Sequence, residues 1–306
     1  MSELKYQFLP NAKVDSADVL ILPVPFENTV CYKSGTAMAP AGIISATEQL
    51  EYYEEDAAWS PLLHMNISVL DAITMDNNKS DADNHQQLLN SVQALPTNNL
   101  LIALGGEHSI TPDIVAARMA KPGTIIQLDA HADLRPKFRG SEYSHACPMY
   151  RLREQGHHII MAGIRSLFEE EARRLGYDNR ISAYMDKQLQ QQEAWQALLD
   201  EIKAVEGDAW LTVDMDAFDP ALVPGVGTPQ PGGLSWYQVI EILETLMYNP
   251  NIQLRGMDIV ELVPEPTRVS EITAAKLMHK AISHWGKSKG YHHRPKTGSQ
   301  SHVDYH

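Results

Sequence analysis

The chain has 306 residues, 43% apolar and 21% charged, which suffices for a sizeable core, and carries a formal charge of −14. That balance argues against nucleic acid or an anionic membrane surface as a partner, since both are gripped through Lys and Arg; it suits a cationic substrate, although acidity chiefly serves solubility. Cys31 and Cys147 are the only cysteines, which excludes a disulfide framework or a multi-thiolate metal site and points to a reducing, cytoplasmic setting.

Short apolar runs rich in β-branched residues mark buried strands, beginning with Val19–Leu22, Ile67–Leu70 and Leu100–Leu104. The third runs into Gly105, Gly106, Glu107 and His108, where paired glycines allow a tight turn that aims His108 over the sheet edge. A fourth strand, Thr124–Leu128, is followed at once by Asp129, Ala130, His131, Ala132 and Asp133. In extended backbone, side chains two apart share a face, so the three ligand-type residues converge and the alanines leave room between them. His158–Met161 forms a fifth strand.

Trp195, Leu198, Leu199, Ile202 and Val205 follow helical spacing, and the strand Trp210–Val213 then ends in Asp214, Met215 and Asp216, with Asp219 beyond. Val239, Ile240, Leu243, Leu246 and Met247 trace a second amphipathic helix. Ser235 and Gln238 make a capping box at its start, and Leu234 is placed to staple against Val239. The last strand is Leu254–Ile259. From about Ser283 the chain turns polar, so residues 1–285 read as a single α/β domain and 286–306 as a tail, free or docked on a neighbouring subunit. The tail histidines His292, His293, His302 and His306 lack any fixed ligand spacing and read as incidental. No run approaches the ~20 apolar residues of a membrane span, and Met1 to Val14 lack the apolar segment of a leader.

Strand and helix alternating throughout imply parallel strands joined by crossover helices, hence a three-layer α/β/α fold with its functional loops at the carboxyl ends of the strands. Three such ends then offer six ligand-type residues to one crevice. Any one of these residues alone is better explained as a helix cap or a satisfied polar group; together they point to a metal centre. Asp129, Asp133, Asp214 and Asp216 bring four negative charges, which two divalent cations cancel. His108 and His131 complete a mixed oxygen and nitrogen shell that favours Mn²⁺ or a similar first-row ion, with nickel, cobalt, zinc and iron left open.

The strings GGEH, DAHAD, SHACP, VDMDAFDP, PGVGTPQPGG and MDIVELVP, with Pro23 to Phe26 and Ser34 to Thr36 earlier, resemble those of the ureohydrolase family of arginases and agmatinases across most of the chain. The resemblance implies an arginase-like sheet and one cation on His108, Asp129, Asp133 and Asp214. It implies a second on Asp129, His131, Asp214 and Asp216, the two ions ~3.5–4 Å apart and sharing a hydroxide that attacks a guanidinium carbon. It also implies that Glu261 pairs with the guanidinium and that His145 protonates the departing amine, with Asp133 beside them in the chemistry. Cys147, next to His145 in sequence, reads as packing. The family's members form trimers or hexamers.

Between Asp133 and His145 the loop resembles agmatinases, so agmatine, cleaved to putrescine and urea, is the expected substrate. Glu142 and Tyr143 are candidates for its far ammonium, while Arg135 and Arg139 keep a carboxylate-bearing guanidino compound open. Arginine, guanidinobutyrate, guanidinopropionate and free guanidine stand as alternative substrates. Because Asp129 and His131 form a D-x-H pair, a dinuclear metallophosphatase stands as an alternative chemistry, and a non-catalytic member of the family as an alternative class.

Overall fold

The structure, a computed structural model, describes residues 4–76 and 78–296. Its centre is an eight-stranded, wholly parallel sheet: β1 (Val19–Val24), β2 (Ile67–Val69), β3 (Leu100–Gly105), β4 (Thr124–Leu128), β5 (His158–Ile164), β6 (Ile181–Met185), β7 (Gly207–Asp214) and β8 (Ile252–Val260). Their order across the sheet is β2-β1-β3-β8-β7-β4-β5-β6. The helices are α1 (Ala39–Ala46), α2 (Asp81–Gln93), α3 (Thr111–Arg118), α4 (Pro148–Glu154), α5 (Glu169–Leu175), α6 (Asp186–Leu189), α7 (Gln192–Lys203), α8 (Trp236–Met247) and α9 (Val269–Ser288).

Alternation within each strand feeds two apolar clusters. Val19, Ile21, Leu100, Ile102 and Leu104 join one, while Leu20, Leu22, Leu101 and Ala103 join the other. Burial on both faces explains why these strands read as continuous apolar runs. β6, an edge strand, has no such run: Ser182 and Tyr184 interrupt it and most of its residues are only half-buried. The capping box of α8 forms as expected, with Ser235 Oγ accepting from Gln238 N and Gln238 Oε1 accepting from Ser235 N, and Leu234 and Val239 are both buried in one cluster.

The polar stretch expected from Ser283 is instead the last third of α9, which runs through residue 285 without a break and buries Ser283, His284 and Gly286. Part of its polar surface is paired inside the fold, which lowers the cost of burying a polar sequence in a core. Ser283 Oγ donates to His279 O at 2.7 Å, and Tyr248 Oη lies 3.0 Å from His284 Nδ1. Beyond the helix the chain docks on itself: Tyr291 packs edge-on to Trp285, and Arg294 pairs with Asp18 at 2.7 Å. His292 and His293 lie on this segment and join no group of potential metal ligands, whereas Gly298, His302 and His306 lie outside the described residues. Among the described residues, no helix is long and apolar enough to cross a membrane.

Two glycines fix how the central strands meet. A Cβ on Gly106 would come within 2.0 Å of Phe26 O, so this residue is glycine because two backbones touch. Neither Gly105 nor Gly106 has the positive φ that a turn would ask of glycine. At Gly256, opposite Trp210, a Cβ would stand 2.4 Å from the indole. There a bulge between Ala209 and Trp210 shifts the β7–β8 register so that Thr212 faces Asp258. Gly106→Ala should therefore lower stability by at least about 2 kcal/mol, the upper part of the overpacking range. A denaturant midpoint equal to that of the parent would contradict the close approach.

Candidate metal centre and its cavity

The four central strands, adjacent in the order β3-β8-β7-β4, end on one edge of the sheet and deliver every group of the centre. Ligand crevices of open α/β sheets form at such carboxyl ends. His108 follows β3 through the Gly106 turn, Asp129 follows β4 directly, Asp214 closes β7, Asp216 sits in the 3-10 turn after it, and Glu261 follows β8. Asp214 Oδ1 accepts from Asp216 N at 2.8 Å, a local turn that holds both carboxylates at the edge.

The expectation that Asp129, His131 and Asp133 alternate along an extended strand holds only in part. β4 ends at Leu128, and His131 keeps a single parallel bridge to Ser166. Asp133 turns back through a left-handed conformation (φ 52°), which Asp tolerates better than most residues. Asp133 O receives Met149 N and Tyr150 N from α4, fixing that turn.

Two ligand groups result, His108–Asp129–Asp133 and Asp129–His131–Asp216, and Asp129 belongs to both. His108 Nδ1 lies 3.2 Å from Asp129 Oδ2, 3.1 Å from Asp133 Oδ2 and 3.6 Å from Asp214 Oδ2. His131 Nδ1 lies 3.0 Å from Asp216 Oδ2 and 3.7 Å from Asp129 Oδ1. Asp129 thus turns one oxygen to each imidazole.

The orientation of His108 is set from behind. Thr212 Oγ1 stands 2.5 Å from Asp258 Oδ1, whose other oxygen accepts from Trp210 Nε1 at 2.6 Å. The lone hydroxyl proton goes to that carboxylate, so the 2.8 Å contact to His108 is donated by Nε2–H. Nδ1 is left buried, without a hydrogen bond of good geometry, facing three carboxylates. An acceptor aimed at acceptors is stable only around a positive charge. The residues therefore fit a cation, and spacings of 3.0–3.7 Å between ligand atoms suit a shared ion with bonds of about 2.0–2.2 Å.

The electrostatics say the same. Burial, with Asp129 alongside, pushes Asp133 up to about 7, and burial with Asp216 and Asp129 raises Asp214 well above the carboxylate range. Burial opposes charge on His131, yet Asp129 and Asp216 lift it to about 12, and the carboxylates around His108 raise it likewise. The cluster takes up protons where no metal supplies the charge.

Over this centre lies a cavity of about 200 Å³ whose wall includes His131, Asp133, Asp214, His145 and Glu261. Glu261 adopts φ 62°, its N–H bonds Gly106 O at 2.7 Å and its Oε1 accepts from His108 N at 2.7 Å. It pairs with no arginine: burial, followed by the like charge of Glu107, raises it well above its ordinary range. His145 Nδ1 meets Thr29 Oγ1 at 2.9 Å, and Nε2 meets the thiol of Cys31 at 3.2 Å. Burial, then positive charge on His131, His108 and Arg139, lowers His145 to about 4. The ring is neutral at pH 7 and must collect a proton before it can deliver one.

Glu142 and Tyr143 are not brought to this wall. Glu142 is exposed, and Tyr143 is held elsewhere, stacked on His85 (4.7 Å) under the guanidinium of Arg151 (4.7 Å). The mouth is formed instead by Arg135, clasped between Phe138 (5.0 Å) and Phe168 (4.5 Å). Arg139 lies against the same Phe138 at 5.4 Å. Cys147 is fully buried, as its reading as packing requires. Thr212, Asp258, Thr29 and Cys31 escaped sequence reasoning, since a threonine in a strand or loop carries no ligand signal. The residues MDIVELVP do contain Asp258, three before Glu261, a spacing that could have flagged it.

A family model described as the arginase family matches residues 17–284. The N(1)-aminopropylagmatine ureohydrolase of Synechocystis is 34% identical over 296 residues, spanning 92% of this chain and 95% of that protein. The agmatinase of Pyrococcus horikoshii is 32% identical over 284 residues, spanning 90% and 94%. Among solved structures, the agmatine ureohydrolase of Thermoplasma volcanium superposes with a TM-score of 0.81 at 28% identity, covering 95% of this chain and 96% of that one.

Thr212→Val removes the acceptor that orients His108 and should weaken metal binding about 10–100-fold, the usual effect of losing such support, and should also lower the thermal midpoint, since Asp258 and His108 Nε2–H each lose a buried partner. Competition against a chelator measures this, and an affinity equal to the parent's would show that Thr212 does not set the ligand.

Proposed function

The chain belongs to the arginase family, a family of dinuclear metal hydrolases that cleave guanidino C–N bonds, and on that premise we propose that it hydrolyses agmatine to putrescine and urea with a pair of Mn²⁺ ions. His108, Asp129, Asp133 and Asp214 would hold one ion, and Asp129, His131, Asp214 and Asp216 the other. Asp129 and Asp214 would be shared. When bound, such ions supply hydroxide near neutral pH, the nucleophile a resonance-stabilised guanidinium requires.

The observation that carries the reading is Glu261, a half-buried carboxylate lining the same cavity as both ligand groups and, among the described residues, in no salt bridge with Lys or Arg. Its Oε1 is taken by the His108 amide, while Oε2 stands 3.2 Å from where a Cβ on Gly227 would lie. The missing side chain at Gly227 leaves Oε2 open for a guanidinium. That cation would favour the charged form of Glu261, which burial and the like charge of Glu107 disfavour, and would fix the guanidinium plane for attack. His145 then carries a proton to the departing amine. Phe138 and Leu167 line the cavity beside the substrate's methylenes.

Agmatine is favoured because its short chain suits a cavity of about 200 Å³ and because several relatives bear agmatinase names. The names of other relatives support a second reading, an agmatine lengthened by an aminopropyl arm that leaves through the Phe138–Phe168 mouth. The unpaired guanidinium of Arg135 at that mouth would disfavour a long cationic arm by like charge. We further place the enzyme in the cytoplasm as a homotrimer or homohexamer, in keeping with its two free cysteines and its family.

Urea release from equal concentrations of agmatine, N(1)-aminopropylagmatine, arginine, guanidinobutyrate, guanidinopropionate and guanidine should give the highest kcat/KM for agmatine. A higher value for any other compound would reassign the substrate, and no urea from any of them would leave a non-catalytic member. His145→Asn should retain both ions and lose about 100-fold or more in kcat, in the range of general acid–base catalysis; full activity would remove His145 from the chemistry.

A further inference from the structure

Behind His145 stands the same arrangement that stands behind His108. Thr29 Oγ1 lies 2.8 Å from Glu107 Oε2, 2.9 Å from His145 Nδ1 and 3.1 Å from the backbone N of His145. The other oxygen of Glu107 accepts the backbone N–H groups of Asn28 and Thr29, which pins the carboxylate and the loop to each other. A hydroxyl has one proton and two lone pairs. Its proton goes to Glu107, whose two oxygens already serve as acceptors for Asn28 N, Thr29 N and Ser109 Oγ, and its lone pairs receive the His145 amide and therefore Nδ1–H. Every group is then satisfied and the ring has one tautomer.

We infer that Thr29 and Glu107 are positioning residues that keep His145 protonated at Nδ1, so that Nε2, facing the cavity beside Cys31, is the single port for proton exchange. The step balances: Nε2 takes up the proton released as water adds to the guanidinium carbon, forming an imidazolium whose Nδ1–H still rests on Thr29. Nε2–H then passes that proton to the amine nitrogen as its bond to carbon breaks, and the ring returns neutral. Without Thr29, Nδ1 loses its acceptor, the ring is free to flip or change tautomer, and the lone pair no longer faces the substrate. Cys31 marks the direction of the port, its thiol lying 3.2 Å from Nε2 at the cavity wall.

The inference rests on the reading of His145 as proton carrier, and the experiment separates the two. Metal-loaded parent, Thr29→Val, Thr29→Ser, His145→Asn and the Thr29→Val/His145→Asn double variant are compared by steady-state urea release, alongside metal content and thermal midpoint. Thr29→Val should lower kcat about 10–100-fold, a part of the general acid–base contribution, with KM nearly unchanged. Thr29→Ser, which keeps the hydroxyl, should restore most of the rate, and adding Thr29→Val to His145→Asn should cost nothing further. Equal losses from Thr29→Val in the presence and absence of His145 would show a merely structural loop residue and overturn the inference. So would parental kcat in Thr29→Val, or failure of serine to rescue. If His145→Asn itself turns over at the parental rate, the proton-carrier reading falls and takes this one with it.

Discussion

Four buried carboxylates crowd around two imidazoles at the centre of the sheet, and the rest of the structure is arranged about the need to neutralise them. Like charges at this depth disfavour one another's ionised forms, and burial together with the neighbouring carboxylates raises Asp133 and Asp214. The proposed pair of divalent cations would offset four negative charges. The rigidity comes from the sheet: adjacent strands β3, β8, β7 and β4 present their ends side by side, and backbone contacts such as Gly106 against Phe26 leave little freedom in where those ends lie. A site on packed strands holds its ligands more closely than one on loops.

The carboxylate–threonine–histidine arrangement appears twice, and its two uses differ. Asp258–Thr212 fixes Nε2–H on His108 and turns Nδ1 toward the ligand carboxylates. Glu107–Thr29 holds Nδ1 of His145 and turns Nε2 toward the cavity. In both, a hydroxyl that must give its one proton to an acid becomes an obligate acceptor, so the ring's free nitrogen is chosen by elimination. Glu107 and His108 are consecutive, and Glu261 Oε1 accepts the amide of His108. One turn after β3 thereby links His108, His145 and Glu261, the residues proposed as metal ligand, proton carrier and guanidinium partner.

Most of the sheet was legible in the sequence because strands buried on both faces are continuous apolar runs; β6 was not, because Ser182 and Tyr184 interrupt its run and most of its residues are only half-buried. The residues proposed as ligands stand out in the sequence because each comes soon after such a run. Asp133 reached its place by a left-handed turn that no alternation rule foretells. Glu142 and Tyr143 were misplaced for a related reason: charge and aromaticity name chemistry but not direction, and stacking on His85 and Arg151 turns Tyr143 away. The end of α9 reads as tail from its composition because Ser283 and His284 are polar yet buried by the packing of the helix, which local composition does not reveal.

Metal stoichiometry tests the central claim most directly. Protein loaded with Mn²⁺ and freed of excess ion should carry two ions per chain, and Asp129→Asn, which alters a carboxylate common to both ligand groups, should carry one or none while remaining folded. A parent that holds a single ion, or an Asp129→Asn variant that keeps two with unchanged affinity, would contradict the shared centre on which the account is built.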